Sequence, residues 1–90
     1  MLNFEWDPEK DRANEQSHGA TFFEASEVFD DDHSSSVRDP DHSLDEDRYL
    51  IFGVSKGGTY LVVSYTERGD RVRLILARQM TPRERRAYEQ

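Results

Sequence analysis

RYLIFGVSKGGTYLVVSYTERGDRVRLILARQ, residues 48–79, is the stretch on which the fold turns. Three runs rich in β-branched, aromatic and aliphatic residues, Arg48–Val54, Tyr60–Thr66 and Arg71–Arg78, are separated by Lys56-Gly57-Gly58 and Arg68-Gly69-Asp70. Short glycine-containing connections imply hairpins, so the sequence predicts an antiparallel meander. Strict alternation along the last run sets Val72, Leu74 and Leu76 on one face together with Arg78. Arg71, Arg73, Ile75 and Ala77 then share the other face, and Arg78 closes an otherwise apolar row.

Helix signals flank this core. Asp7-Pro8 is a helix start, an acidic N-cap followed by proline where its missing N–H costs nothing, and His18-Gly19 is a stop, which predicts a helix over 8–17. Thr21-Phe22-Phe23-Glu24 is a capping box that opens a second helix over 22–29, with Phe22, Ala25, Val28 and Phe29 on one face. Asp30 to Asp47 reads as loop, with the acidic run Asp30-Asp31-Asp32, the turn former Asp39-Pro40-Asp41 and a short edge strand near 34–38. Thr81-Pro82-Arg83-Glu84 combines both start devices and opens a C-terminal helix to about Glu89. Phe4 and Trp6 are expected to pack under the sheet. The predicted architecture is one α+β domain over 1–90: two N-terminal helices, an antiparallel meander of three to four strands, and a C-terminal helix.

Ninety residues at 10.5 kDa leave room for one domain. The absence of cysteine excludes disulfides and thiolate metal sites. No apolar run approaches the roughly 20 residues that cross a bilayer, and the acidic start lacks the cationic and apolar stretches of a secretory signal, so a cytoplasmic location is expected. The net charge of −7 is unevenly spread. Residues 1–47 carry fifteen acidic and three basic side chains, net −12, whereas residues 48–90 carry nine basic and four acidic, net +5. The basic half permits a polyanionic partner; equally, the two halves can attract each other within the fold.

Phe4-x-Trp6-Asp7, Asn14-x-x-x-His18-Gly19, Phe23-Glu24-Ala25 with Val28-Phe29-Asp30, and the Asp39/Asp41/Glu46/Arg48 stretch form an ordered set. Leu61-Val62-Val63 with Tyr65-Thr66-Glu67-Arg68, Ile75-x-Ala77-Arg78, and Glu84-Arg85 with Tyr88 continue it. Together they resemble the BrnT toxins over nearly the whole chain. The resemblance implies a RelE-like small α+β fold and a metal-independent ribonuclease, with no cofactor, that arrests translation by cutting RNA. It also implies a BrnA-type antitoxin as partner, in an assembly with two copies of each chain that reaches operator DNA only through the antitoxin. The sequence departs from the family at Ser17, where members usually carry lysine before the His-Gly, and at Asp47, commonly Glu. Loss of that lysine motivates an alternative, a catalytically degenerate homologue that binds antitoxin and serves in operon repression.

Metal-free RNA cleavage needs a base for the 2′-hydroxyl, cations for the charge on phosphorus and an acid for the 5′-oxygen. Arg48 and Arg78 are the candidate phosphate ligands, because the guanidinium fork holds two oxygens and stays charged; the plainer reading is that each pairs with the acidic half. His18 is a candidate proton-transfer residue or simply a helix C-terminal residue. Glu46 is the alternative base, or the group that orients Arg48, unless it belongs to a solvated acidic loop with Asp45 and Asp47. Tyr65, Arg68, Arg83 and Tyr88 are candidate RNA contacts, the tyrosines by stacking on bases, although such aromatics are more often core. Arg85 and Arg86 extend the basic patch of the last helix. His33 and His42 lack regular ligand spacing, and no metal site is expected from them.

Overall fold

The computed structural model describes residues 2–42 and 46–90. Strand β1 (Asn3–Glu5) precedes helices α1 (Pro8–His18) and α2 (Phe22–Glu27). Strand β2 (Ser35–Arg38) follows, then β3 (Arg48–Val54), β4 (Tyr60–Arg68), β5 (Arg71–Gln79) and helix α3 (Pro82–Tyr88). The strands form one five-stranded sheet in the order β1-β5-β4-β3-β2. It is mixed, not purely antiparallel: β1 runs parallel to β5, with Phe4 beside Val72, and the other neighbours are antiparallel. Strand β1 has no local signal in the sequence, since its partner lies 68 residues away and its three residues read as the approach to a helix start.

The helix ends are built as their chemistry requires. The Asp7 carboxylate accepts from the Glu9 amide, and Gly19 closes α1 in the left-handed region at φ 69°, where a side chain would be strained. Thr21 and Glu24 form a reciprocal capping box on α2, and Thr81 and Glu84 form another on α3. Helix α2 ends earlier than the apolar spacing predicts, because Val28–Asp30 tightens into a 3-10 turn.

One face of the sheet carries the core. Phe22, Ala25 and Val28 pack there on Ile51, Leu61, Val63, Tyr65, Val72, Leu74 and Ala77, with Phe4, Trp6, Phe29 and Tyr49 around them. Phe4 meets Phe29 edge to face, and Trp6 meets Phe22 likewise. Gly53 is required in this layer, since a Cβ there would come within 2.7 Å of a Val28 methyl.

The parity predicted for β5 does not hold. Ser64 pairs with Leu76 but Tyr65 pairs with Leu74, so Ile75 is an extra residue, a β-bulge. Val72 and Leu74 face the core; beyond the bulge the alternation inverts, Ala77 is buried in the core and Leu76 and Arg78 turn to the opposite face. Arg78 therefore shares a face with Arg71 and Arg73 instead of ending the apolar row.

Beside the bulge, the edge of β5 away from β4 has no strand neighbour, because β1 covers only Arg71–Arg73. Asn14, the one buried residue of α1, fills the gap. Its side-chain oxygen accepts from the Ala77 amide at 3.0 Å, and its amide nitrogen donates to the carbonyls of Ala77 and Ala20 at 2.8 Å each. Removing it strands three buried backbone groups. Asn14→Ala is expected to cost about 3 kcal/mol and to lower Tm by more than ~10 °C, with faster exchange at the Ala77 amide. Calorimetry and hydrogen exchange check this; an unchanged Tm would show that α1 is held by other contacts.

Candidate active site

The face of the sheet away from the core gathers the arginines of the basic half. By register, Arg48 on β3, Thr66 on β4 and Arg73 on β5 form one row across this face, and Arg68 pairs with Arg71 in the next. Two carboxylates reach into them. Glu46 accepts from Arg48 Nε at 3.0 Å and lies 3.7 Å from Arg68 Nη2. Glu5, brought by β1, accepts from Arg73 Nη1 at 2.8 Å and lies 3.9 Å from Arg71. Among the described residues, the guanidiniums of Arg48, Arg68, Arg71 and Arg73 thus meet the carboxylates of Glu46 and Glu5 at this end of the sheet. Thr66 is buried, and its hydroxyl donates to the Asp47 carbonyl at 2.8 Å, which ties the segment carrying Glu46 to the strand beneath it.

Arg78 lies on the same face at the other end. Opposite Val62, it is four residues of β4 removed from the Thr66 row, roughly 13 Å at strand rise. Its guanidinium grips Glu84 with two bonds, 2.8 and 2.9 Å. That hydrogen bonding holds the Glu84 carboxyl down at about 2, against the opposing effect of burial, and raises Arg78 above its ordinary value. Arg48 and Arg78 are therefore not two arms of one phosphate clamp.

His18 ends α1 beyond the outer edge of β5, in a shallow recess with Lys10, Ile75 and Leu76. Two strand spacings, roughly 10 Å, separate that edge from Arg48 on β3. Ser17 lines the same recess, not the arginine row. Tyr65 is only 7% exposed: its ring stacks on Tyr49, Phe29 meets it edge-on, and its hydroxyl is 3.0 Å from that of Ser36, so no ring face is open to a base. Tyr88 donates its hydroxyl to Asp31 and meets Tyr60 edge to face. Burial and then the Asp31 bond push the Tyr88 phenol up to about 12. Asp31 is pushed up by burial, but the Tyr88 hydroxyl and the amides of His33 and Val54 outweigh this and hold it below its ordinary value. Arg68 and Arg83 are exposed, the first near Glu46 and the second on α3. Arg85 covers the Tyr60 ring at 3.9 Å. Asp45 and the His42 side chain lie outside the described residues, among which no three potential ligands converge for a metal.

Sequence reasoning missed Glu5, Arg71 and Arg73. The two arginines were visible as one face of a strand, but their carboxylate partner sits on a strand without a sequence signal, and the bulge that brings Arg78 to their side leaves none either.

A family model described as "Ribonuclease toxin, BrnT, of type II toxin-antitoxin system" matches residues 6–84. The fold is similar to the crystal structure of the Brucella abortus ribonuclease toxin BrnT, with a TM-score of 0.65 at 20% identity over 90% of this chain and 99% of that one. No curated protein matches significantly.

The Arg78–Glu84 pair gives the expected acid behaviour a definite sign. A carboxyl depressed to about 2 from an ordinary 4.5 contributes stability that is present above pH 4.5 and lost as pH falls toward 2. Glu84→Gln is expected to lower stability by about 1 kcal/mol at pH 7, the scale of a half-exposed pair plus a cap, and to flatten the stability profile in that acid window. Denaturant melts from pH 7 to 2 check it; an unchanged acid slope would show the pair contributes nothing.

Proposed function

The chain belongs to the BrnT family of ribonuclease toxins from type II toxin–antitoxin systems, and from that premise we propose that it is a metal-independent endoribonuclease that cuts RNA on the arginine face of its sheet. The supporting observation is the Arg48–Thr66–Arg73 row with Glu46 bonded to Arg48. In this reading a scissile phosphate displaces the carboxylates from the guanidiniums, and Arg48 and Arg73 take its non-bridging oxygens. Glu46 accepts the 2′-hydroxyl proton, and the 2′-oxygen attacks phosphorus. The P–O5′ bond breaks, the 5′-oxygen takes a proton from water, and a 2′,3′-cyclic phosphate remains. Arg68 and Arg71 bind the flanking backbone. Glu46 is favoured over His18 as base because only Glu46 lies in the arginine row.

Arg78 acts at the rim, bound to Glu84, and Arg83 and Tyr88 belong to the neighbouring groove. The cleavage arrests translation in the cytoplasm, and a BrnA-type antitoxin, two copies against two toxins, neutralises the RelE-like toxin and carries any operator contact. The exposed edge strand β2 and the arginine face are surfaces another chain can close.

Purified protein incubated with a defined RNA in EDTA is expected to leave 2′,3′-cyclic phosphate ends. Arg48→Ala, Arg73→Ala and Glu46→Gln are expected to slow cleavage by about 100-fold or more, and His18→Ala by only a few-fold. A collapse in His18→Ala with full activity in Glu46→Gln would move the base to α1. No cleavage by the wild type, with normal growth on induction, would instead support the degenerate antitoxin-binding reading and make Ser17→Lys the first reversion.

A further inference from the structure

Helix α3 stands off the arginine face, and the gap beneath it is a groove of about 350 Å³ between α3 and strands β2 and β3. Its walls are mostly apolar: the Phe52 ring, the 48%-exposed Val37 side chain, Ala87 and the Tyr88 ring. The Ser35 hydroxyl lies at one side and Arg83 at the rim. Glu84 also borders it, but its charge is already matched by both bonds from Arg78. Arg83 has no carboxylate partner among the described residues, so it is the one unmatched charge on the groove, and it is positive.

We propose that this groove is a nucleotide subsite that takes an RNA base against Phe52 and Val37 and its phosphate on Arg83. This rests on the ribonuclease reading and extends it from the cut phosphate to a neighbouring base. Three observations select that ligand. The volume suits one small planar group, and falls in the range of ordinary ligand pockets. An apolar slot with one cation at its mouth matches a flat ring carrying a single negative charge, the pattern by which proteins hold unpaired bases. The slot also lies on the same face of the sheet as the arginine row: Phe52 faces the same side as Arg48 on the same strand, four residues on, roughly 13 Å. A single strand lying along β3 therefore reaches both.

The test is amide NMR on the full chain, titrated with AMP, GMP, CMP and UMP in turn, and with ribose 5-phosphate as a control lacking the base. Saturable shifts are expected at Val37, Phe52, Arg83 and Ala87 with at least one monophosphate, and only weak shifts near Arg83 with the control. Ala87 and Val37 are exposed, so Ala87→Trp, which fills the groove, and Val37→Asp, which opposes the phosphate, keep the fold. Each is expected to weaken binding by about tenfold or more, whereas Arg12→Ala, at an exposed position of α1, leaves it unchanged. The proposal is overturned by shifts confined to the Arg48 and Arg73 region, by equal response to ribose 5-phosphate, or by binding that Ala87→Trp does not diminish. It is equally overturned if the groove responds to a co-expressed antitoxin but to no monophosphate. Because binding is read without cleavage, an inactive enzyme with a responsive groove sinks the ribonuclease reading alone.

Discussion

Asn14 and the edge of β5 form the contact on which the rest of this small fold depends. Helix α1 buries no apolar side chain, so the hydrophobic effect, which holds α2 to the sheet through Phe22 and Ala25, has little to act on there. What replaces it is a carboxamide used as a one-residue strand, donating and accepting at Ala77 as a neighbouring strand would, with a further bond to the Ala20 carbonyl. In a buried setting these bonds matter less for their net gain than for the cost of leaving the backbone groups unmet. Asp11 adds to the clamp by accepting from the Phe22 amide at 2.8 Å, which sets the angle between the two N-terminal helices.

From that clamp the geometry of the opposite face follows. Asn14 engages β5 two residues beyond the bulge at Ile75, so the inverted alternation is fixed at Ala77 and Arg78 must turn away from the core. The bulge converts a strand that would bury a guanidinium into one that puts all three of its arginines on one surface. The same sheet arranges the opposed charges of the two halves of the chain. Glu5 and Glu46 come from the acidic half and each lies between two arginines of the basic half. A chain of net charge −7 thus sets the strand arginines of its basic half on one face, and attraction to phosphate depends on the local field more than on the net charge. The two explanations open for the charge division are in this sense one: the halves do attract each other, and they do so on the face that gathers the strand arginines.

The parts of this fold that were legible in sequence are those governed by local rules. Asp7-Pro8, Gly19 and the capping boxes at Thr21 and Thr81 mark helix ends because they satisfy backbone groups within a few residues, and the glycine-bearing connections mark the hairpins for the same reason. Strand β1 and the bulge were illegible because both are settled by distant partners. Three residues gain strand structure only by lying beside Val72, and Ile75 is extruded only because Ser64 and Tyr65 demand a different count. The site divides the same way. Arg48 and Glu46, two apart in sequence, were candidates before the fold was known and are bonded within it; Arg73 and Glu5, 68 apart, were not. Tyr65 misleads for a related reason, since aromatic composition cannot say which side of a strand a ring occupies.

Helix α3 shows how a site can be placed on a stable sheet and yet depend on its least stable element. None of its residues is buried, and its attachments are polar or peripheral: Glu84 on Arg78, Tyr88 on Asp31, and Arg85 and Glu89 around Tyr60. Such contacts are individually weak, and elements held by them open at a small fraction of the global unfolding free energy. Glu84 concentrates the dependence, because the carboxylate that pairs with Arg78 also accepts from the Thr81 amide and so completes the N-terminal cap of the helix. Loss of the carboxylate therefore weakens the ion pair and the cap of the first turn together, while the Thr81 hydroxyl still accepts from the Glu84 amide and Tyr88 still holds the far end of α3. The arginine row, by contrast, is carried on β3, β4 and β5 over a buried core and does not share this dependence.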